Sequence, residues 1–186
     1  MKSFQPHATV SRSRVELTAD FNSPVTNRVL EYWNSVRGTR PRPRLRDIDL
    51  MDIYEVAPTV IIRDMIDGGE EFLCRYWGTE LVQFFGFDGT GKLLADCYSP
   101  ASAAVLRRRM MMAIENDLPV RVAGVTDLVD TDMPRTYEGI WLAILDEDDA
   151  AVHALAAFDT GYGLTPADEA RHAEAENVDA IEYPDT

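Results

Sequence analysis

Between Thr59 and Glu80 the chain reads TVIIRDMIDGGEEFLCRYWGTE, two runs of β-branched and aromatic residues on either side of Asp67-Gly68-Gly69. Glycines at a tight turn tolerate positive φ, so the pattern predicts a β-hairpin and commits the fold to antiparallel sheet. Alternation places Arg63 and Arg75 in water and turns Val60, Ile62, Phe72, Cys74 and Tyr76 inward. Three further strand-length runs lie downstream: VRVAGVTDLVD, RTYEGIWLAILDEDD and AVHALAAFDTGYG. Turn residues at 130–134 and 146–149 separate them, so the chain closes with a meander.

Helices occupy the intervals. In SPVTNRVLEYWNSVRG, Ser23 is the expected cap, Pro24 the first-turn residue and Gly38 the left-handed stop. Val25, Val29, Tyr32, Trp33 and Val36 then form one apolar stripe. SPASAAVLRRRMMMAIENDLP reads as the longest helix, from a Ser99 cap and Pro100 to a stop at Pro119. Its buried stripe is Ala103, Leu106, Met110, Ala113 and Ile114. TELVQFFG predicts a short helix capped by Thr79 and ended by Gly86. DIDLMDIYEVAP predicts a helical turn or two capped by Asp47 or Asp49. The order is α+β: an antiparallel sheet with helices on one face. The expected organisation is a flexible arm over 1–22, which includes a short strand near Val15–Leu17, and a helix with an extended link over 23–54. A domain follows over 55–163, and an acidic surface helix and tail over 164–186.

Charge is unevenly spread. Residues 1–46 carry nine Lys/Arg against three Asp/Glu, while the other 140 carry nine against 29, for a net −14. Five arginines fall within RGTRPRPRLR, where Pro41 and Pro43 hold the chain extended. A chain this acidic repels nucleic acid and anionic membranes, so the run is expected to dock on its own chain or lie as a solvated link, ahead of an acidic protein partner and, last, nucleic acid. No 18-residue apolar run offers a membrane span, and residues 1–20 have no signal-peptide core. Two cysteines fit a reducing cytoplasm.

LEYWNSVRGTRPRPRLRDIDLMDI combines a Tyr-Trp helix, an Arg-Gly turn, a Pro/Arg link and an Asp-Ile-Asp entry to the first strand. RYWGTELVQFFGFDGTGKLLAD adds a strand ending in Gly-Thr, a short helix ending in Gly and a Thr-Gly-Lys turn. From about Leu30 to Gly163 these features resemble a family of small bacterial stand-alone PAS-domain proteins. One departure is Trp77, where that family more often has a smaller aliphatic residue. The resemblance implies a five-stranded antiparallel sheet with helices on one face. It also implies a small molecule or cofactor between the sheet and the long helix.

The residues test each cofactor class. Residues 99–118 contain no histidine for haem, and Met110, Met111 and Met112 read as core. Cys97, in LADCYSP, lacks the Asn, Arg and Gln neighbours of a photoactive flavin site. His7, His153 and His172 have no metal-ligand spacing, GTGK at 89–92 is too short for a phosphate loop, and no nucleophile–base constellation can be assembled. What remains is an apolar pocket with candidate walls Trp77, Phe84, Phe85, Met111, Tyr137 and Trp141, and candidate polar groups Tyr76, Tyr137 and Cys97. The expected function is a non-enzymatic sensory or regulatory module that binds a small ligand and signals in trans to a protein partner. The alternative is a ligand-free dimerisation or interaction adaptor. In either, Val29, Tyr32, Trp33 and Val36 are the expected interface, most simply of a homodimer.

Overall fold

The computed structural model describes residues 13–126 and 135–169. Six strands form one antiparallel sheet: β1 (Ser13–Leu17), β2 (Val60–Ile66), β3 (Glu71–Trp77), β4 (Val120–Thr126), β5 (Arg135–Leu145) and β6 (Ala151–Asp159). Their spatial order is β1-β4-β5-β6-β2-β3. The helices are α1 (Pro24–Val36), α2 (Thr79–Phe85), α3 (Leu94–Cys97) and α4 (Pro100–Glu115), with 3-10 turns at Leu45–Asp47, Leu50–Ile53 and Ala57–Thr59. The expected helix ends are found. Ser23 accepts from the Val25 amide at 3.0 Å, and Ser99 from Ser102 at 3.3 Å. Gly78, not Thr79, occupies the cap position of α2.

The α+β antiparallel architecture is as expected, but two features differ. The sheet has six strands rather than five, because Ser13–Leu17 pairs along β4, from Ser13 opposite Gly124 to Leu17 opposite Val120. Helices also cover both faces rather than one. On the first face α4 packs its Ala103, Leu106, Met110 and Ala113 with Ile61, Trp141, Ala143, Ala154 and Ala156 of the sheet. On the second, α1 packs Val29, Leu30, Tyr32 and Trp33 on Ile62, Ile140, Leu142, Ile144 and Leu155.

This corrects the expected interface. Val29, Tyr32 and Trp33 are 0%, 3% and 7% exposed, covered by the chain's own sheet, and Val36 is half-buried against the same cluster. The stripe needed an apolar surface, and the second sheet face supplies it. Trp33 completes the seat by donating from Nε1 to the Ala143 carbonyl at 2.9 Å.

A buried ionic clasp holds α1 in place. Glu138, wholly buried on β5, accepts from the backbone N–H of Asn22 and Ser23 and from the Thr26 hydroxyl. A carboxylate there suits the positive end of the helix. Its charge is balanced by Arg121 of β4, whose Nε lies 2.6 Å from Glu138. Arg121 also meets Glu16 of β1 at 2.8 Å and Asp168 at 3.2 Å. Asp168, expected on a surface helix, is 4% exposed in a helical turn at 166–169. Burial pulls its pKa up, but hydrogen bonds from Arg121 and Thr165 outweigh that and hold it below the usual aspartate value. Its contribution to stability is therefore complete above the ordinary aspartate pKa and disappears as pH falls through the depressed one.

The arginine run is accounted for within the chain. Arg40 pairs with Asp47, Arg44 makes a bidentate pair with Asp149, and Arg46 meets Glu147. Arg37 lies over the Trp33 ring at 5.8 Å. Arg42 is the inward member: it donates to the carbonyls of Ile114 at 2.9 Å and Asn116 at 2.8 Å, at the C-terminal end of α4. Nearby, Pro43 accepts from the Leu145 amide at 2.9 Å, so the link docks on the end of β5.

Two outcomes follow for urea denaturation. Glu138→Ala takes from Arg121 one of its three carboxylates and from the Asn22 and Ser23 amides and the Thr26 hydroxyl their buried acceptor, and is expected to cost about 3–5 kcal/mol. Arg42→Ala removes two charge-assisted bonds and is expected to cost about 1.5–3 kcal/mol, whereas Arg46→Ala, at an exposed pair, leaves stability within error.

Candidate functional site

The site begins with an irregularity between β2 and β3. Ile62 pairs with Tyr76 but Arg63 pairs with Cys74, so Arg75 is an extra residue bulged out of β3. The bulge inverts the alternation. Phe72, Cys74 and Trp77 therefore share the α4 face with Ile61, whereas Tyr76 joins Val60 and Ile62 on the α1 face. There the Tyr76 hydroxyl donates to the Ala57 carbonyl at 3.1 Å, so Tyr76 is not part of the pocket wall. The simple alternation read Val60, Ile62, Phe72, Cys74 and Tyr76 as one face, and it sent Arg63 to solvent. Instead Arg63 is 1% exposed. Only Arg75 faces water, where it pairs with Asp64.

The neighbourhood of Arg63 is aromatic. Its guanidinium lies 5.6 Å from the centroid of Trp77 and 5.9 Å from that of Tyr98. Trp77 stacks with Phe85 at 5.6 Å and Phe87 at 5.0 Å, and Tyr98 meets the same two rings at 6.5 and 6.1 Å. The segment after α2 closes over Trp77. A Cβ on Gly89 would sit 2.5 Å from the indole, so only glycine allows this approach. Gly91 and Lys92 then tie the segment to β3 through backbone bonds to Cys74 of 2.8 and 2.9 Å.

No acid balances Arg63: among the described residues, no carboxylate lies within ion-pairing distance of it. Its Nη1 is buried with no hydrogen-bond partner. Desolvating an ion costs several kcal/mol even after relaxation, while a desolvated cation–π contact returns about 2 kcal/mol. Arg63 also hydrogen-bonds the side chains of Cys97 and Tyr98, so Nη1 is the nitrogen left without a partner.

The same face holds more orphaned donors. Trp77 Nε1, Trp141 Nε1 and Arg109 Nε are buried without acceptors. Register places Trp77, Ile61, Ala156 and Trp141 in one row across β3, β2, β6 and β5. The next row is Cys74, Arg63, Ala154 and Ala143. Between the large side chains the sheet thus carries a floor of alanines.

Sequence-chosen candidates fall in several places. Trp77, Phe85 and Cys97 gather round Arg63. Phe84 meets Phe85 edge to face at 5.0 Å and lines an outer cleft of about 620 Å³ with Pro58, Thr79, Glu80, Gln83, Arg135 and Thr160. Tyr137 and Trp141 pack instead on Phe158, across the alanine floor. Met111 fills the space above Gly69 of the hairpin turn. Sequence reasoning missed Arg63, Phe87, Tyr98 and Arg109. Only the closely spaced aromatics of FFGF hinted at a cluster, and an arginine between apolar strand residues carried no sign of burial.

Burial sets the chemistry of the thiols. It pushes Cys74 up to about 11 and also raises Cys97, each against the opposing charge of Arg63. Tyr98 is likewise raised by burial. Among the described residues no three His, Cys, Asp or Glu side chains form a group able to hold a metal ion. No described helix is long and apolar enough to cross a membrane.

The sheet order, the helix over its alanine floor and the hairpin-to-meander connectivity agree with one family. A model of the PAS domain matches residues 21–154. This chain belongs to the PAS domain family. No curated protein matches the sequence. Among solved structures, the chain is similar to a PAS domain from Colwellia psychrerythraea, with 15% identity and a TM-score of 0.42 over 60% of this chain and 97% of that one. It is also similar to an RNA-binding light-oxygen-voltage receptor, with 10% identity and a TM-score of 0.45 over 89% of this chain and 41% of that one. In this PAS domain Arg63 lies on β2, on the sheet face that α4 covers.

Both thiols of this PAS domain are expected to resist Ellman's reagent at pH 7.5 and to react fully once the chain is unfolded. Rapid labelling of the native protein would contradict their burial.

Proposed function

We propose that this PAS protein is a sensory or regulatory module that holds a small molecule between its sheet and α4, at the Arg63–Trp77–Tyr98 cluster. The bound state is passed to a protein partner or to a second copy of the chain. The observation that carries this reading is Arg63, a fully buried cation with an unpartnered nitrogen in an aromatic setting. Ligand pockets combine apolar walls with a few converging polar groups, and a buried cation without an acid is costly unless something answers it.

A contact between the two faces supports the signalling part of this reading. The C-terminal end of α4, which covers the cluster's side of the sheet, is held by Arg42, and Arg42 belongs to the link that follows α1 on the other side. In this reading a shift of α4 pulls on Arg42 and so on the layer over the opposite face.

A second reading is supported by a separate observation. Trp77, Phe85, Phe87 and Tyr98 pack ring to ring, which is how a filled interior would look. In that reading the protein is an interaction adaptor without a ligand.

Paired native and denaturing mass spectrometry of the freshly purified full chain separates the two. The sensory reading expects a mass surplus in the native spectrum that vanishes on denaturation. A bare mass at every stage, together with no binding by small-molecule probes, favours the adaptor.

A further inference from the structure

We infer that the ligand of the Arg63 site is a monoanion, a carboxylate on an apolar body, with its oxygens on the Arg63 guanidinium. The inference rests on the ligand-binding reading above and assigns its chemical class.

Three observations converge on it. First, among the described residues seven buried side-chain nitrogens lack partners; three belong to the partly exposed Arg14, Arg40 and Arg107, and the four in fully buried residues, Arg63, Trp77, Arg109 and Trp141, are all donors on the α4 side of the sheet. An occupant that satisfies donors must bring acceptors. The α1 side is a control, because its buried Glu138, Arg121 and Trp33 all have partners within the chain.

Second, Arg63 has charge as well as hydrogen-bonding capacity to offer. A guanidinium presents a planar fork that matches a carboxylate in bidentate fashion, and burial strengthens the pairing. Arg109 is the other buried arginine on this side, but its Nη2 is bonded to the Ser13 hydroxyl of β1. β1 and β2 are four strands apart, about 19 Å. One head group cannot use both arginines, so the site offers a single positive charge, which favours a monoanion over a phosphate dianion.

Third, what surrounds the fork is apolar. Trp77, Tyr98, Phe85 and Phe87 line one side, and Ala154 and Ala156 continue from it along the sheet. Such walls reward a flat or aliphatic body behind the carboxylate.

The test uses the full chain, with phenylacetate and octanoate against the matched amides phenylacetamide and octanamide, and inorganic phosphate as the bare anion. Binding is read by isothermal titration calorimetry and by the shift in melting temperature. The acids are expected to bind at least tenfold tighter than the amides. Arg63→Met should abolish that difference, and the unliganded variant should melt no lower than the wild type, because a strained buried charge has gone. Arg63→Lys keeps the charge without the fork and should retain only part of the preference, which serves as the test if Arg63→Met does not fold.

Acids and amides binding equally, or an acid preference that survives in Arg63→Met, would overturn the anion assignment and leave the ligand reading standing. Phosphate binding as tightly as the acids would overturn the choice of a carboxylate with an apolar body. A lower melting temperature in Arg63→Met with no acid preference in the wild type would make Arg63 a structural stacking residue. If neither acids, amides nor phosphate bind and the native mass is bare, the ligand reading falls with it.

Discussion

A sheet covered on both faces leaves its central strands no water on either side, and this constraint governs the rest of the molecule. β5 shows it most plainly: from Tyr137 to Leu145 every residue is buried. Polar groups on such strands must find partners inside the protein, because an unpaired buried group costs free energy. On the α1 side they do. Glu138 accepts from the start of α1 and pairs with Arg121, which gathers Glu16 and Asp168 from distant parts of the chain. On the α4 side four buried donors, one each on Arg63, Trp77, Trp141 and Arg109, lack acceptors among the described residues. The two faces thus differ in how their buried polar groups are satisfied. One is a closed joint and the other holds donors without acceptors.

Much of this was legible in the sequence because it is local. Ser23, Pro24, Ser99 and Pro100 announce helices through chemistry that acts within one turn, and the Asp-Gly-Gly turn announces its hairpin in the same way. The stripes of both long helices were also readable, since helical period depends only on spacing. What each stripe packs against was not. The α1 stripe lies on its own sheet, a fact set by residues such as Ile140 and Leu155 more than a hundred positions away.

The site itself was half legible. Trp77, Phe85 and Cys97 followed from composition and position, but Tyr76 was misplaced by a bulge and Arg63 by the covering of both sheet faces, since β2 itself alternates regularly. A bulge at Arg75 shifts alternation by one residue, and no local pattern marks where a strand will slip. Arg63 carried the stronger misdirection, since arginine on a strand ordinarily means solvent. Its burial became visible only with three-dimensional neighbours. The basic run at 37–46 shows the opposite case. Charge balance alone favoured docking within the chain, and Asp47, Asp149 and Glu147 supply the acids.

The sixth strand lies ahead of the region that the PAS family shares, which begins at residue 21. A chain trimmed to that boundary would keep every recognisable PAS element and still be a different object. The backbone of β4 from Val120 to Gly124 would lose its neighbour and become an open, adhesive border. Arg109 would lose the hydroxyl of Ser13, and Arg121 would lose one of its three carboxylates. Self-association of such a fragment would report on the missing strand and say nothing about how the intact protein meets its partners.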